Sequence, residues 1–260
     1  MNKSFRLVFP IALAVLISVV TIVALMRLSP TVWSTWSPAT CLKTGCFCES
    51  ANAQNPIRQP VNTISSLAFV FSGMLVLAQI RQNNPARRLP DVYTAIMGIS
   101  SIIIGVGSAF YHASLTFIGQ FFDVFGMFLL AAFALVYAWE RIWDLRLTTT
   151  LSLYLALNLF LSWLQIAIPD TRRYAFAIVL VVALMFEYYF RLKAKPNIEV
   201  QWLWIGIGLL TLAYMIWILD NTRLVCLENS LLQGHAAWHI LGAVSGLFLY
   251  RYYASEAKAI

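Results

Sequence analysis

Charge is what this sequence has least of. Only 11% of its 260 residues are Asp, Glu, Lys or Arg, less than half the share of an ordinary soluble domain, which carries about 25%. Acidic residues number 11 and histidines only three. There is no P-loop, no GxGxxG and no GxSxG pattern, so nothing points to nucleotide binding or to a serine-hydrolase elbow. No fixed-period repeat occurs, which excludes solenoids. Alternating apolar strands are also missing, so a membrane β-barrel is not expected. Four cysteines are too few for a disulfide-stapled mini-protein of this length.

What is present is apolar bulk: 60% hydrophobic residues, with nine Trp, eleven Tyr and seventeen Phe. That composition excludes a disordered chain and a soluble globular enzyme. A bilayer span needs about 20 apolar residues, and eight such stretches can be read. They are Leu7 to Met26, Val61 to Ile80, two within Val92 to Trp139, Leu147 to Pro169, Tyr174 to Phe190, Val200 to Leu219 and Ser230 to Tyr250. Val92 to Phe122 is too long for one helix and is expected to turn near Thr116 to Gly119, with Asp123 opening the next span. The fold class expected is therefore an all-α polytopic membrane protein.

The formal charge of +7 sits in short loops, so it reads as a topology signal and not as a nucleic-acid footprint. Twelve of the eighteen Lys and Arg residues fall at one set of helix ends: Lys3, Arg6, Arg81, Arg87, Arg88, Arg141, Arg146, Arg191, Lys193, Lys195, Arg251 and Lys258. By the positive-inside rule that side is cytoplasmic, which puts both termini inside. The other side receives Arg27, Lys43, Arg58, Arg172, Arg173 and Arg223. The first span could be a cleaved signal peptide. Its apolar run is longer than a usual h-region and no small-x-small site follows Arg27, so it is read as an anchor. The expected division is an anchor helix over 1–28, an outer cysteine-containing loop over 29–60, a seven-helix domain over 61–253 and a cytoplasmic tail over 254–260.

All four cysteines, Cys41, Cys46, Cys48 and Cys226, fall in outer loops where oxidation can occur. Their spacing suits a zinc ribbon poorly, so disulfides are expected, with three pairings open. Inside the spans, Glu187 and Glu140 are expected to pair with Arg191 and Arg141, and Asn158 and Gln165 to serve helix packing.

The polar residues that carry chemistry gather at one depth. His235 and His239, four apart in GHAAWH, share a helix face, which is the arrangement that chelates one metal ion. Such a pair alone is also met as two interfacial histidines bonded to backbone or headgroups. His112 ends the third span in GVGSAFYHASL, with Ser108 one turn earlier, and Asp123 starts the fourth. Counting along each span puts His112, Asp123, His235 and His239 at the same outer level. Three neutral imidazoles with one open position is the catalytic zinc arrangement, and a carboxylate beside it can serve as base. An Asp at the edge of an apolar helix is a functional residue by default.

Four segments resemble the alkaline ceramidase family of seven-helix zinc membrane hydrolases, in the wider group that includes adiponectin-receptor-like proteins. They are FCES from Phe47 with QPVNTISSLAFV from Gln59; GVGSAFYHASLTFIGQFFD from Gly105; WILDN with Cys226; and GHAAWHILGA from Gly234. The resemblance runs from Phe47 to Tyr250, so the family's seven helices correspond to spans two to eight and the first span is an addition. It implies that His112, His235 and His239 hold a catalytic zinc. It also implies that Asp123 is general base and that Ser108 stabilises the oxyanion or orients the water. It further implies a Cys48–Cys226 disulfide, leaving Cys41 and Cys46 as a candidate second pair.

Characterised members bind calcium through carboxylates of the opening segment. Here Glu49 remains, but Cys46, Gln59 and Ala51 stand where the family has Asp, Glu and Asn. A calcium site at Glu49 is therefore expected to be weak or absent. The activity implied is zinc-dependent hydrolysis of the N-acyl bond of a ceramide-like membrane lipid, on the extracytoplasmic face, to a sphingoid base and a fatty acid. An esterase of the same superfamily, or a receptor-like protein with a structural zinc, are the alternatives. No nucleic-acid partner is expected, and the oligomeric state is not specified.

Overall fold

The computed structural model describes residues 3–43, 45–80 and 89–257. Among them every regular element is helical, and an isolated β-bridge joins Pro38 to Thr116. The long helices are α1 (Lys3–Met26), α4 (Asp91–Ser114), α5 (Phe117–Trp143), α6 (Leu147–Ala167), α7 (Arg172–Ala194), α8 (Val200–Asn221) and α9 (Gly234–Ala254). Two short ones, α2 (Pro60–Ser66) and α3 (Ala68–Leu77), follow each other almost without interruption. Seven stretches are long and apolar enough to cross a bilayer, α2 and α3 counting as one. This is an all-α polytopic membrane fold. Helix α9 is outside those seven because its run is diluted by His, Gly, Ser and Arg. Its 21 residues still reach about 31 Å, and it packs along α8.

The second expected span is not one helix: Leu67 breaks it into α2 and α3. Between α4 and α5 the turn falls where the sequence suggested. Leu115 takes a left-handed conformation (φ 49°) and Thr116 caps α5, its Oγ1 accepting the Gly119 N–H at 3.2 Å. Helix α5 therefore starts at Phe117, and Asp123 lies in its second turn, not at its first residue. Gly107 allows α5 to approach here, because a Cβ at that position would sit 2.8 Å from the Phe122 carbonyl oxygen.

The bundle is polar at both ends and apolar between them. Helices α1, α6, α7 and α8 turn large apolar side chains outward, among them Leu16, Leu159, Trp163, Met185 and Trp204, each more than half exposed. Such a continuous apolar surface belongs in lipid. At the end opposite the cysteines, buried Arg141 of α5 pairs with Glu187 of α7 and Glu256 beyond α9. Tyr252 also donates to Glu187, and Tyr93 donates to Glu140. This corrects the expected pairing: Glu187 faces Arg141 across the bundle, not Arg191 on its own helix, and Glu140 takes a tyrosine. Neighbours in sequence such as 140 and 141 point to different sides of a helix.

A candidate metal centre above an apolar cavity

The cysteine-containing loop is built around the end of α4. The last carbonyls of a helix have no partner within it. Here His112 O accepts from Gln59 N at 3.1 Å, Ala113 O from Arg58 N at 3.0 Å and Ser114 O from Arg58 Nη1 at 2.9 Å. The loop thus docks on the turn that carries His112. Cys41 is joined to Cys46 and Cys48 to Cys226, the second bond tying the loop to the α8–α9 connection. Asp220, at the end of α8, accepts from Cys48 N and His235 N, each at 3.0 Å. One buried carboxylate therefore holds the loop and caps the start of α9.

With both helix ends fixed, the three histidines meet. One ring nitrogen from each of His112, His235 and His239 lies within 4.8 Å of the others, and all three residues are buried. His112 Nε2 is 3.1 Å from His235 Nε2. His112 Nδ1–H donates to Gln59 Oε1 at 2.9 Å, which fixes the tautomer and leaves Nε2 free to ligate. His239 Nδ1 is 2.9 Å from Ser65 Oγ, so its Nε2 also points to the centre, 3.3 Å from Ser108 Oγ. Phe47 stacks on His235 with ring centroids 3.8 Å apart, and its backbone is left-handed at φ 60°. A bulky residue in that region is strained and persists where its surroundings hold it.

His235 Nδ1 is buried with no hydrogen-bond partner, so internal hydrogen bonding does not account for this ring's place. The donor chemistry does. Three neutral imidazoles facing one point, with no carboxylate among them, form a set that suits zinc. Ser108, whose Oγ is 3.3 Å from His239 Nε2, is also close enough to act on the Asp123 carboxylate, so it stands between that carboxylate and the histidine cluster. Below the cluster a cavity of 370 Å³ opens, lined by Asp123, His235 and His239 at its head and by Met127, Leu180 and Leu210 further down.

A family model described as Ceramidase matches residues 44–257. The chain belongs to the ceramidase family. Among curated proteins, none matches it. The family match leaves α1 outside, as the resemblance implied.

The structure brings Ser108, His112, Asp123, His235 and His239 of this ceramidase-family chain to one place, and it sets Glu49 apart. Both Glu49 oxygens accept backbone donors from the first turn of α2, Val61 N and Asn62 N, at 2.8 Å each. Burial pushes the Glu49 carboxyl above its usual range, against the two N–H donors that pull it down. Its ionisation therefore subtracts stability as pH rises through the window between those two values. The Gln59 amide donates to Cys46 O at 2.8 Å and Glu49 O at 2.7 Å. Calcium needs roughly six to eight oxygen ligands, and the carbonyls it could use here are taken by an amide N–H₂. These residues do not fit calcium. Asp220 and Phe47 are parts of the site that sequence reading left without a role, and Gln59 entered it only as the neutral residue at a calcium position of the family. Phe47 was visible only as a position in a family-like segment, and Asp220 only as the Asp of WILDN.

Proposed function

We propose that this protein is a zinc-dependent intramembrane amidase that hydrolyses the N-acyl bond of ceramide-like lipids to a sphingoid base and a fatty acid. The observation that carries the reading is the meeting of three imidazole nitrogens with Asp123 and Ser108 at the head of an apolar cavity. His112, His235 and His239 would hold the metal. Zinc bound there supplies Lewis acidity towards a carbonyl and a water activated near neutral pH.

The protein's own groups do the rest. The apolar lining holds the acyl chain and sets the amide at the level of the histidines. Asp123 takes the proton of the attacking water and returns it to the leaving nitrogen. Ser108, between Asp123 and His239, directs its hydroxyl to the oxygen where negative charge develops. Gln59 fixes the His112 tautomer, and Asp220 fixes the α9 N-terminus that carries His235. We place this site on the extracytoplasmic face, with eight spans and both termini cytoplasmic, because the disulfides share its end of the bundle and the basic loops cluster at the other.

Detergent-purified protein, given matched N-acyl and O-acyl lipids, should release fatty acid and free amine from the former. Turnover should vanish on chelation, return with zinc and be lost in His239→Ala. Cleavage of the O-acyl lipid alone would make the protein an esterase. Stoichiometric zinc with no turnover of either lipid would make the metal structural.

A further inference from the structure

Two arginines are out of place. Arg172 and Arg173 open α7 at the outer end of the bundle, where the positive-inside rule gives them no topological use. Both line the cavity that holds the histidines. Among the described residues neither is within ion-pair distance of a carboxylate; the exposed pair Arg223–Glu228 is the outer-face salt bridge. Arg172 is buried and pinned, donating to Pro169 O and Thr40 Oγ1. Arg173 lies over the Trp217 ring at 5.2 Å from its centroid. Both charges are close enough to act electrostatically on Asp123, and Arg173 on His235. Asp123 is the one acidic side chain of the cavity, so the lining keeps an excess of one positive charge beside the reacting centre.

The cavity has direction. Its lining follows α7 from Arg172 to Leu184, about 18 Å of helix. Polar and charged groups lie at the outer end, and Ala177, Leu180 and Val181 follow below them. Hydrocarbon belongs in the lower part and the scissile amide at the histidines. What projects past the amide towards the two guanidiniums is the amine half of the substrate. A neutral headgroup has no use for a buried, pinned guanidinium with a second, more exposed one beside it on Trp217, whereas a carboxylate or phosphate is the group they recognise best.

We infer that Arg172 and Arg173 select N-acyl lipids whose amine half carries an anionic group, a carboxylate or a phosphate. This rests on the amidase reading above and names its substrate class. Arg172 supplies a fixed charge; Arg173, spread on Trp217, is the adjustable contact.

The test compares kcat/KM of the zinc-loaded protein on three amides with the same acyl chain: a neutral N-acyl sphingoid base, that lipid phosphorylated on its terminal hydroxyl, and an N-acyl amino acid. The anionic amides should exceed the neutral one by roughly tenfold or more, the worth of one charged hydrogen bond. Arg173→Gln should bring that ratio close to one, and Arg173→Lys should keep part of it. A merely structural Arg173 would leave the ratio unmoved. Equal kcat/KM for all three amides, or a ratio unchanged in Arg173→Gln, overturns the proposal. If Arg173→Gln instead only weakens inhibition by the free fatty acid, the anion is the product carboxylate and the substrate assignment is overturned. Binding of the same lipids to Asp123→Asn protein, read by the change in intrinsic tryptophan fluorescence that Trp217→Phe removes, decides the anion preference even without turnover. Failure to hydrolyse any of the three would overturn the amidase reading separately.

Discussion

Asp123 and Ser108 stand beside the histidine cluster, not within it, and that separation assigns them different consequences on mutation. Three histidines and a water fill the four positions of a tetrahedral zinc. Asp123→Asn should therefore keep zinc and lose most turnover, because a carboxamide cannot take the water's proton. Ser108→Ala should also keep zinc and lower the rate by roughly 10²–10³ if it serves the oxyanion. His112→Ala, His235→Ala and His239→Ala should lose metal and activity together. Metal analysis beside turnover separates the two groups, and a zinc-free Asp123→Asn protein would make the carboxylate a ligand.

Gln59 gives a second test at this scale. Gln59→Glu replaces the amide donors with a carboxylate aimed at the Cys46 and Glu49 carbonyls, and frees those carbonyls for a cation. The variant should lose about 1–3 kcal/mol of stability and regain part of it in calcium. The wild-type thermal transition should not move with added calcium. The histidine pair was legible in the sequence because helical period alone puts residues 235 and 239 on one face. Gln59, Asp220 and Phe47 were not, because their roles are set by distant partners: His112 lies 53 residues from Gln59, and Cys48 lies 172 from Asp220.

Helices were readable where polarity or length forced a break, and less so where packing chose the boundary. The turn at Thr116 was marked by a run too long for one helix. The start of α5 was obscured because Phe117, Ile118, Phe121 and Phe122 continue the apolar pattern up to Asp123. The break at Leu67 had no signal at all: no Gly or Pro interrupts Asn62 to Phe71, and the division follows from how α2 and α3 meet α4 and α9. The ion pairs show the same limit. Spacing on one helix favours Glu187 with Arg191, yet Arg141 arrives from α5 and takes both Glu187 and Glu256. Arg141→Ala leaves two buried carboxylates uncompensated and should cost about 3–5 kcal/mol. Arg191→Ala should change stability by no more than about 0.5 kcal/mol. Thermal unfolding in one detergent compares them directly, and equal losses would restore the intrahelical pairing.

Across the whole molecule the two ends differ in kind. One end carries both disulfides, the histidines, Asp123 and the head of the cavity; the other carries the Arg141 network. Disulfides persist in oxidising compartments, and basic loops stay in the cytoplasm, so the two signals must agree if the reading is right. Part of the basic signal is not structural evidence: Arg81, Arg87, Arg88 and Lys258 lie outside the described residues, as do the side chains of Lys3 and Arg6. Arg141, Arg146, Arg191, Lys193, Lys195 and Arg251 are within them, and all sit at the end opposite the cysteines.

A membrane-impermeant thiol reagent provides the decisive measurement. A single cysteine placed in the 81–91 segment should be protected in intact cells and react after permeabilisation. One placed at 229, in the α8–α9 connection, should react from outside at once. Eight crossings require these opposite outcomes, because α4, α5, α6, α7 and α8 lie between the two positions and five crossings invert the side. Equal labelling of both would remove one crossing from that set. It would also return α9 to question, since the three histidines share one level only if α4 and α9 both end on the outer face.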